Sequence, residues 1–134
     1  MSSETSSEQL TGLPYIRVYA DEQGETHFVD EVMSAKEHRA SENRMDAISE
    51  NFQIESVTFR RIIEDDPVGY AHHAPARVFI VHLQGEAELE VSNGEKRRLG
   101  PGSIALMEDV TGNGHTVRSV PGSEPRVTMM LRLA

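Results

Sequence analysis

Arg77-Val-Phe-Ile-Val-His82-Leu-Gln-Gly85-Glu-Ala-Glu-Leu-Glu-Val91-Ser-Asn93-Gly94 is the stretch that decides the fold class. Val78 to Leu83 is almost wholly apolar, as in a strand covered on both faces. Gln84-Gly85 reads as a turn. Glu86 to Val91 then alternates charged and apolar residues, the period-2 pattern of a strand with one face in a core. Together, Arg77 to Val91 predict a β-hairpin. Asn93-Gly94 marks a second reversal, because both residues tolerate the positive φ that a tight two-residue turn demands.

Working outward, the same alternation of short strands and turn residues continues. Downstream, Arg98-Leu-Gly-Pro-Gly102 makes a turn and Ser103 to Met107 a strand. Thr111-Gly-Asn-Gly114 forms a loop, and Thr116–Val120 and Arg126–Leu133 complete the sheet. Upstream, Tyr15–Ala20 and Thr26–Val32 flank Asp21-Glu-Gln-Gly24 and predict an N-terminal hairpin, with a further strand from Ile54 to Ile63. Nine or ten short strands separated by turn signals predict an all-β protein, a sandwich or jelly roll. Residues 33–52 break the pattern. They are charged, with Met45, Ile48 and Phe52 at helical spacing, so a short helical or irregular insertion is expected, or else a lid or partner-contacting arm. Residues 1–12 are Ser/Glu-rich and predict a disordered tail ahead of a single domain over 13–134.

Composition narrows the function. The chain has 134 residues, enough for one domain with its own core. Its formal charge of -9, from 22 acidic and 13 basic residues, argues against nucleic acid, which requires clustered Lys and Arg. No apolar run approaches a membrane span, and the N-terminus lacks the pattern of a secretory signal. Cysteine is absent, which rules out disulfides and thiolate ligands and fits a cytoplasmic setting.

Six histidines remain as candidates for chemistry, and His72, His73, His82 and His115 lie in two blocks. The first runs Gly69-Tyr-Ala-His72-His73-Ala-Pro-Ala-Arg77 into the Val78 strand. The second runs Gly100-Pro101-Gly102 to Glu108-Asp109-Val-Thr111-Gly112-Asn-Gly114-His115. These blocks resemble the two motifs of a single-domain cupin. Counting back from Gly85, the four metal-ligand positions fall on His72, Ala74, Val78 and His115, so two of the four are apolar here. A closer resemblance is to small bacterial cupins, through Arg17-Val-Tyr19-Ala-Asp21-Glu22-Gln-Gly24-Glu25-Thr-His27-Phe28 and Glu108-Asp109-Val-Thr111-Gly112-Asn-Gly114-His115. It departs from them at His73 and Val78. The resemblance implies a cupin jelly-roll β-barrel or sandwich, a small-molecule ligand, and a homodimer in which the N-terminal hairpin pairs or swaps.

Two chemistries compete for the pocket. In the first, His72, His82 and His115 hold a divalent transition metal (Fe, Mn, Ni or Zn), since neutral imidazole suits such ions. Strand parity puts His82 on the same face as Val78 and Ile80, and His73 or Glu108 can add a donor. The alternative for His82 is a core histidine bonded to a neighbour. In the second chemistry, no metal is needed: His115 acts as general acid or base, with Glu108 or Asp109 orienting it, on a small polar or carboxylated substrate. Glu108, directly after an apolar strand, is the expected catalytic partner, and Asp109 the expected loop cap. His73, Val78 and Ile80 are expected to line the substrate pocket. Arg118 is expected on the outside in a surface salt bridge, and His27 and His38 are expected to be exposed. A non-catalytic binding or sensing cupin that has lost its metal is the other class of function.

Overall fold

Strand β6 (Val78–Gln84) lies inside a six-stranded sheet, between β9 (Ile104–Met107) and β11 (Val127–Leu133), which explains its continuous apolar run. The computed structural model describes residues 12–134. The expected N-terminal tail therefore lies almost wholly outside the described residues. The sheet has the order β2-β1-β9-β6-β11-β5, completed by β1 (Leu13–Ala20), β2 (Thr26–Met33) and β5 (Ile54–Arg61). Among the described strands, only β1 and β9 pair in parallel. A three-stranded sheet stacks β10 (His115–Ser119), β7 (Ala87–Val91) and β8 (Lys96–Leu99), in that order. The described residues contain no helix. The protein is all-β, as expected.

The core lies between the two sheets. Val18, Val78, Ala105 and Met107 from the larger meet Leu89, Val91 and Leu99 from the smaller. The expectation of a barrel is corrected: the sheets remain separate, each with free edges, in the manner of a sandwich.

A second correction concerns the quoted stretch. β6 and β7 do not pair as a hairpin but belong to different sheets. Ala87, Leu89 and Val91 are buried on one face of β7, while Glu88 and Glu90 face away. That one-sided strand covers the core from the opposite side. The chain crosses between sheets at Gly85, whose φ is +78; a Cβ there would stand 2.5 Å from the Glu124 carbonyl oxygen. Asn93-Gly94 does close the β7–β8 hairpin.

Residues 33–52 are the third correction. They form neither helix nor loop but a two-stranded antiparallel arm, β3 (Ala35–Ser41) and β4 (Arg44–Ser49), which is a sheet of its own. Its many charged residues suit a ribbon wet on both faces. After it, Phe52 returns to pack edge-on against Phe79.

Candidate functional site

Between the sheets opens a cavity of about 370 Å³, within the usual size of a small-molecule site. Its walls are apolar, from Ala74, Val78, Ile80, Leu89, Leu99 and Met130 among others. Val78 and Ile80 line it as parity predicts. Its polar groups gather at two ends.

At one end stand His72 and His115. Their backbones form an isolated bridge, with N–H to O=C bonds of 3.0 and 2.9 Å. Their rings lie 4.8 Å apart, centre to centre. Gly114 makes this approach possible: its φ is +77, and a Cβ there would collide with the His72 carbonyl. Thr26, fully buried, holds the same loop. Its hydroxyl donates to the Gly114 carbonyl at 2.7 Å and accepts from the Ser92 N–H at 2.6 Å.

Asp109 completes this end. Its side chain is wholly enclosed, and Oδ2 accepts from His115 Nδ1 at 2.6 Å. The second oxygen, Oδ1, has no hydrogen-bond partner. A buried carboxylate on Nδ1 sets the tautomer and orientation of the ring, leaving Nε2 as the nitrogen available to a bound molecule.

The structure thus reverses the expected roles of Glu108 and Asp109. Alternation continues past Met107, which faces the core, so Glu108 turns out and Asp109 turns in. On the outer face Glu108 accepts from Arg17 at 3.3 Å and from Arg77 at 2.8 Å, away from the cavity. His73 is corrected likewise. Like its neighbour His72 it is exposed, but unlike His72 it does not line the cavity.

The other end is built by His82, Thr128, Arg126 and Arg60. His82 faces Thr128 across the β6–β11 pair, and its Nδ1 has no hydrogen-bond partner. Burial pushes its pKa below the usual 6.5, and the nearby Arg126 guanidinium adds to the effect. Arg126 is only 6% exposed. It donates from Nε to Ser119 Oγ at 2.8 Å and from Nη2 to Asp65 at 3.1 Å.

The expected ligand set of His72, His82 and His115 is not assembled: His72 and His115 stack at one end, while His82 stands with Thr128 on the β6–β11 pair. Among the described residues no group of three or more His, Asp or Glu side chains gathers to hold a metal. Ala74 and Val78, two of the expected ligand positions, are buried and apolar. Two adjacent imidazoles fall short of the usual three protein ligands of a catalytic ion.

No protein-family model matches the chain. No functionally curated protein matches it either.

The remaining residues play structural parts. Arg118 points away from the cavity, as parity predicts, and donates to Glu88 at 2.8 Å and Glu90 at 2.6 Å. His38 is exposed. His27 is only half-exposed: its Nε2 meets Asp21 at 2.8 Å, which helps hold the Asp21 carboxyl below its usual range. Sequence reading missed Thr26, Arg60, Arg126 and Thr128. Parity along β11 and β5 carried the signal for the last three, because Thr128 pairs with both His82 and Arg60.

Proposed function

We propose that the chain is a small-molecule enzyme of the cupin type, with its sandwich wound as a jelly roll. In this reading it transfers a proton on a small polar or carboxylated substrate, with His115 as general acid or base. The observation that carries the proposal is the 2.6 Å bond between His115 and the enclosed Asp109. His115 Nε2 accepts a proton from the bound substrate, and the Asp109 carboxylate stabilises the imidazolium that forms. Such positioned proton transfer contributes roughly a hundredfold to ten-thousandfold in rate. The His72 ring, 4.8 Å away, shapes the same end.

A second reading, a non-catalytic ligand-binding cupin, draws support from the apolar Ala74 and Val78 at the positions where cupins carry metal ligands. Incubating α- and β-keto acids with the protein in heavy water separates the two readings. Deuterium entering the acidic C–H position, and failing to do so with His115→Ala, supports the enzyme. Tight binding without exchange supports the binder.

We also propose that the protein is a cytoplasmic homodimer. The lone arm β3–β4 exposes Met45 and Ile48, and the edge strand β5 exposes Val57 and Phe59. Apolar positions on an unpaired edge invite a second copy. Light scattering should report a dimer that Phe59→Glu weakens; a monomer at all concentrations contradicts this. Among the described residues, no helix is long and apolar enough to cross a membrane.

A further inference from the structure

We infer that the end of the cavity remote from His115 is a carboxylate-binding subsite, and that the ligand is a monocarboxylate with an apolar body. The inference deepens the proton-transfer reading and rests on it for the role of the ligand, but not for its binding.

Charge is the first argument. The chain is strongly acidic, at -9, yet two arginines line the cavity and no Asp or Glu does. Arg60 is exposed at the cavity and, among the described residues, has no ion pair or hydrogen bond from its side chain. Arg126 is buried and held in place by Ser119 and Asp65 through Nε and Nη2, which leaves Nη1 uncommitted. A guanidinium fixed in a low-dielectric wall is a preorganised anion receptor.

Hydrogen bonding is the second. Thr128 is 4% exposed and lines the cavity, and its hydroxyl has no partner among the described residues. In strand register it sits opposite Arg60 on one side and His82 on the other. That hydroxyl is open to the cavity and free to bond a ligand there, while the buried His82 Nδ1 beside it lacks a partner. Burial disfavours the charged form of His82, so the positive charge at this end comes from the two arginines.

Charge balance and wall chemistry define the ligand. Two guanidiniums less the Asp65 carboxylate leave one positive charge in excess, which matches a monoanion better than a phosphate dianion. Between this end and His115 the wall is Ile80, Leu89, Leu99 and Met130. A chain or ring of carbon fills that span and carries its far end toward His115 Nε2.

Calorimetric titration with hexanoate and hexanol tests the subsite directly. Wild type should bind hexanoate about tenfold or more tighter than hexanol, the difference shrinking as salt rises. Arg60→Gln and Arg126→Gln should each remove most of that preference, whereas His115→Ala should change hexanoate affinity less than about threefold. Should Arg126→Gln fail to fold, Arg60→Gln still decides, because the Arg60 side chain has no partner to lose. Histidine-labelled nuclear magnetic resonance gives an independent readout: saturating hexanoate should move the His82 signals and leave His38 in place. Equal binding of hexanoate and hexanol, an unmoved His82, or unchanged preference in Arg60→Gln would overturn the subsite. Hexanoate binding without keto-acid exchange would retain the subsite and refute only the proton-transfer reading.

Discussion

Asp109 and His115, six residues apart in the chain, meet at 2.6 Å on the inner side of the sandwich, with the carboxylate fully enclosed. The loop between them, 110–114, carries two positive-φ glycines, Gly112 and Gly114, and turns the chain back so that both side chains point inward. A carboxylate held this way fixes the orientation of the imidazole.

Asp109→Asn tests that role. The amide keeps the shape but removes the charge that balances a protonated ring. Proton transfer in the keto-acid assay should fall about a hundredfold or more, while hexanoate binding at the far end stays within about threefold. Equal exchange rates in wild type and variant would exclude the dyad role.

Thr26→Val should destabilise the fold by about 1–3 kcal/mol, measured by urea unfolding. Valine matches the volume but leaves the Ser92 N–H without its 2.6 Å acceptor and the Gly114 carbonyl without its donor. Since these bonds seat the loop before His115, the exchange rate should drop as well.

Gly114→Ala should cost more than about 1 kcal/mol, because the left-handed backbone suits glycine and the new methyl meets the His72 carbonyl. Thermal melting measures it. Gly94→Ala is the control: its φ is also positive, but a Cβ there meets nothing, so it should cost less.

His82 predicts a pH dependence of stability. Its folded pKa is lowered by burial, so below the unfolded value near 6.5 the unfolded chain binds a proton that the folded one resists. Its contribution is therefore complete above 6.5 and is lost as pH falls from 6.5 through the folded pKa, at up to about 1.4 kcal/mol per pH unit. Urea midpoints at pH 7.5 and 5.5 should differ less in His82→Gln than in wild type. An identical pH response in both would rule out a buried neutral His82.

Much of this was readable in the sequence, and parity explains both the successes and the misses. Alternation placed Val78, Ile80 and His82 on one face and turned Arg118 outward, and the hairpin at Asn93-Gly94 formed, although only Gly94 of the two takes a positive φ. The same rule, carried two residues beyond Met107, puts Asp109 inside and Glu108 outside; the apparent strand end obscured it. Strand partners were less legible. β6 and β7 are adjacent in sequence but belong to opposite sheets, because pairing depends on which face each must bury, not on the turn alone. The arm β3–β4 resembled a helix because a ribbon exposed on both faces carries no period-2 pattern. Arg126 and Arg60 could not be joined to His82 without the β5–β11–β6 register, a relation among strands distant in the chain.

Nitrogen-15 resonance of the histidine rings, in wild type and Asp109→Asn, tests the central claim most directly, because it needs no substrate. The account predicts that neutral His115 carries its proton on Nδ1, leaving Nε2 bare toward the cavity, and that Asp109→Asn removes this preference. A neutral His115 with its proton on Nε2, or a ring unaffected by Asp109→Asn, would contradict it.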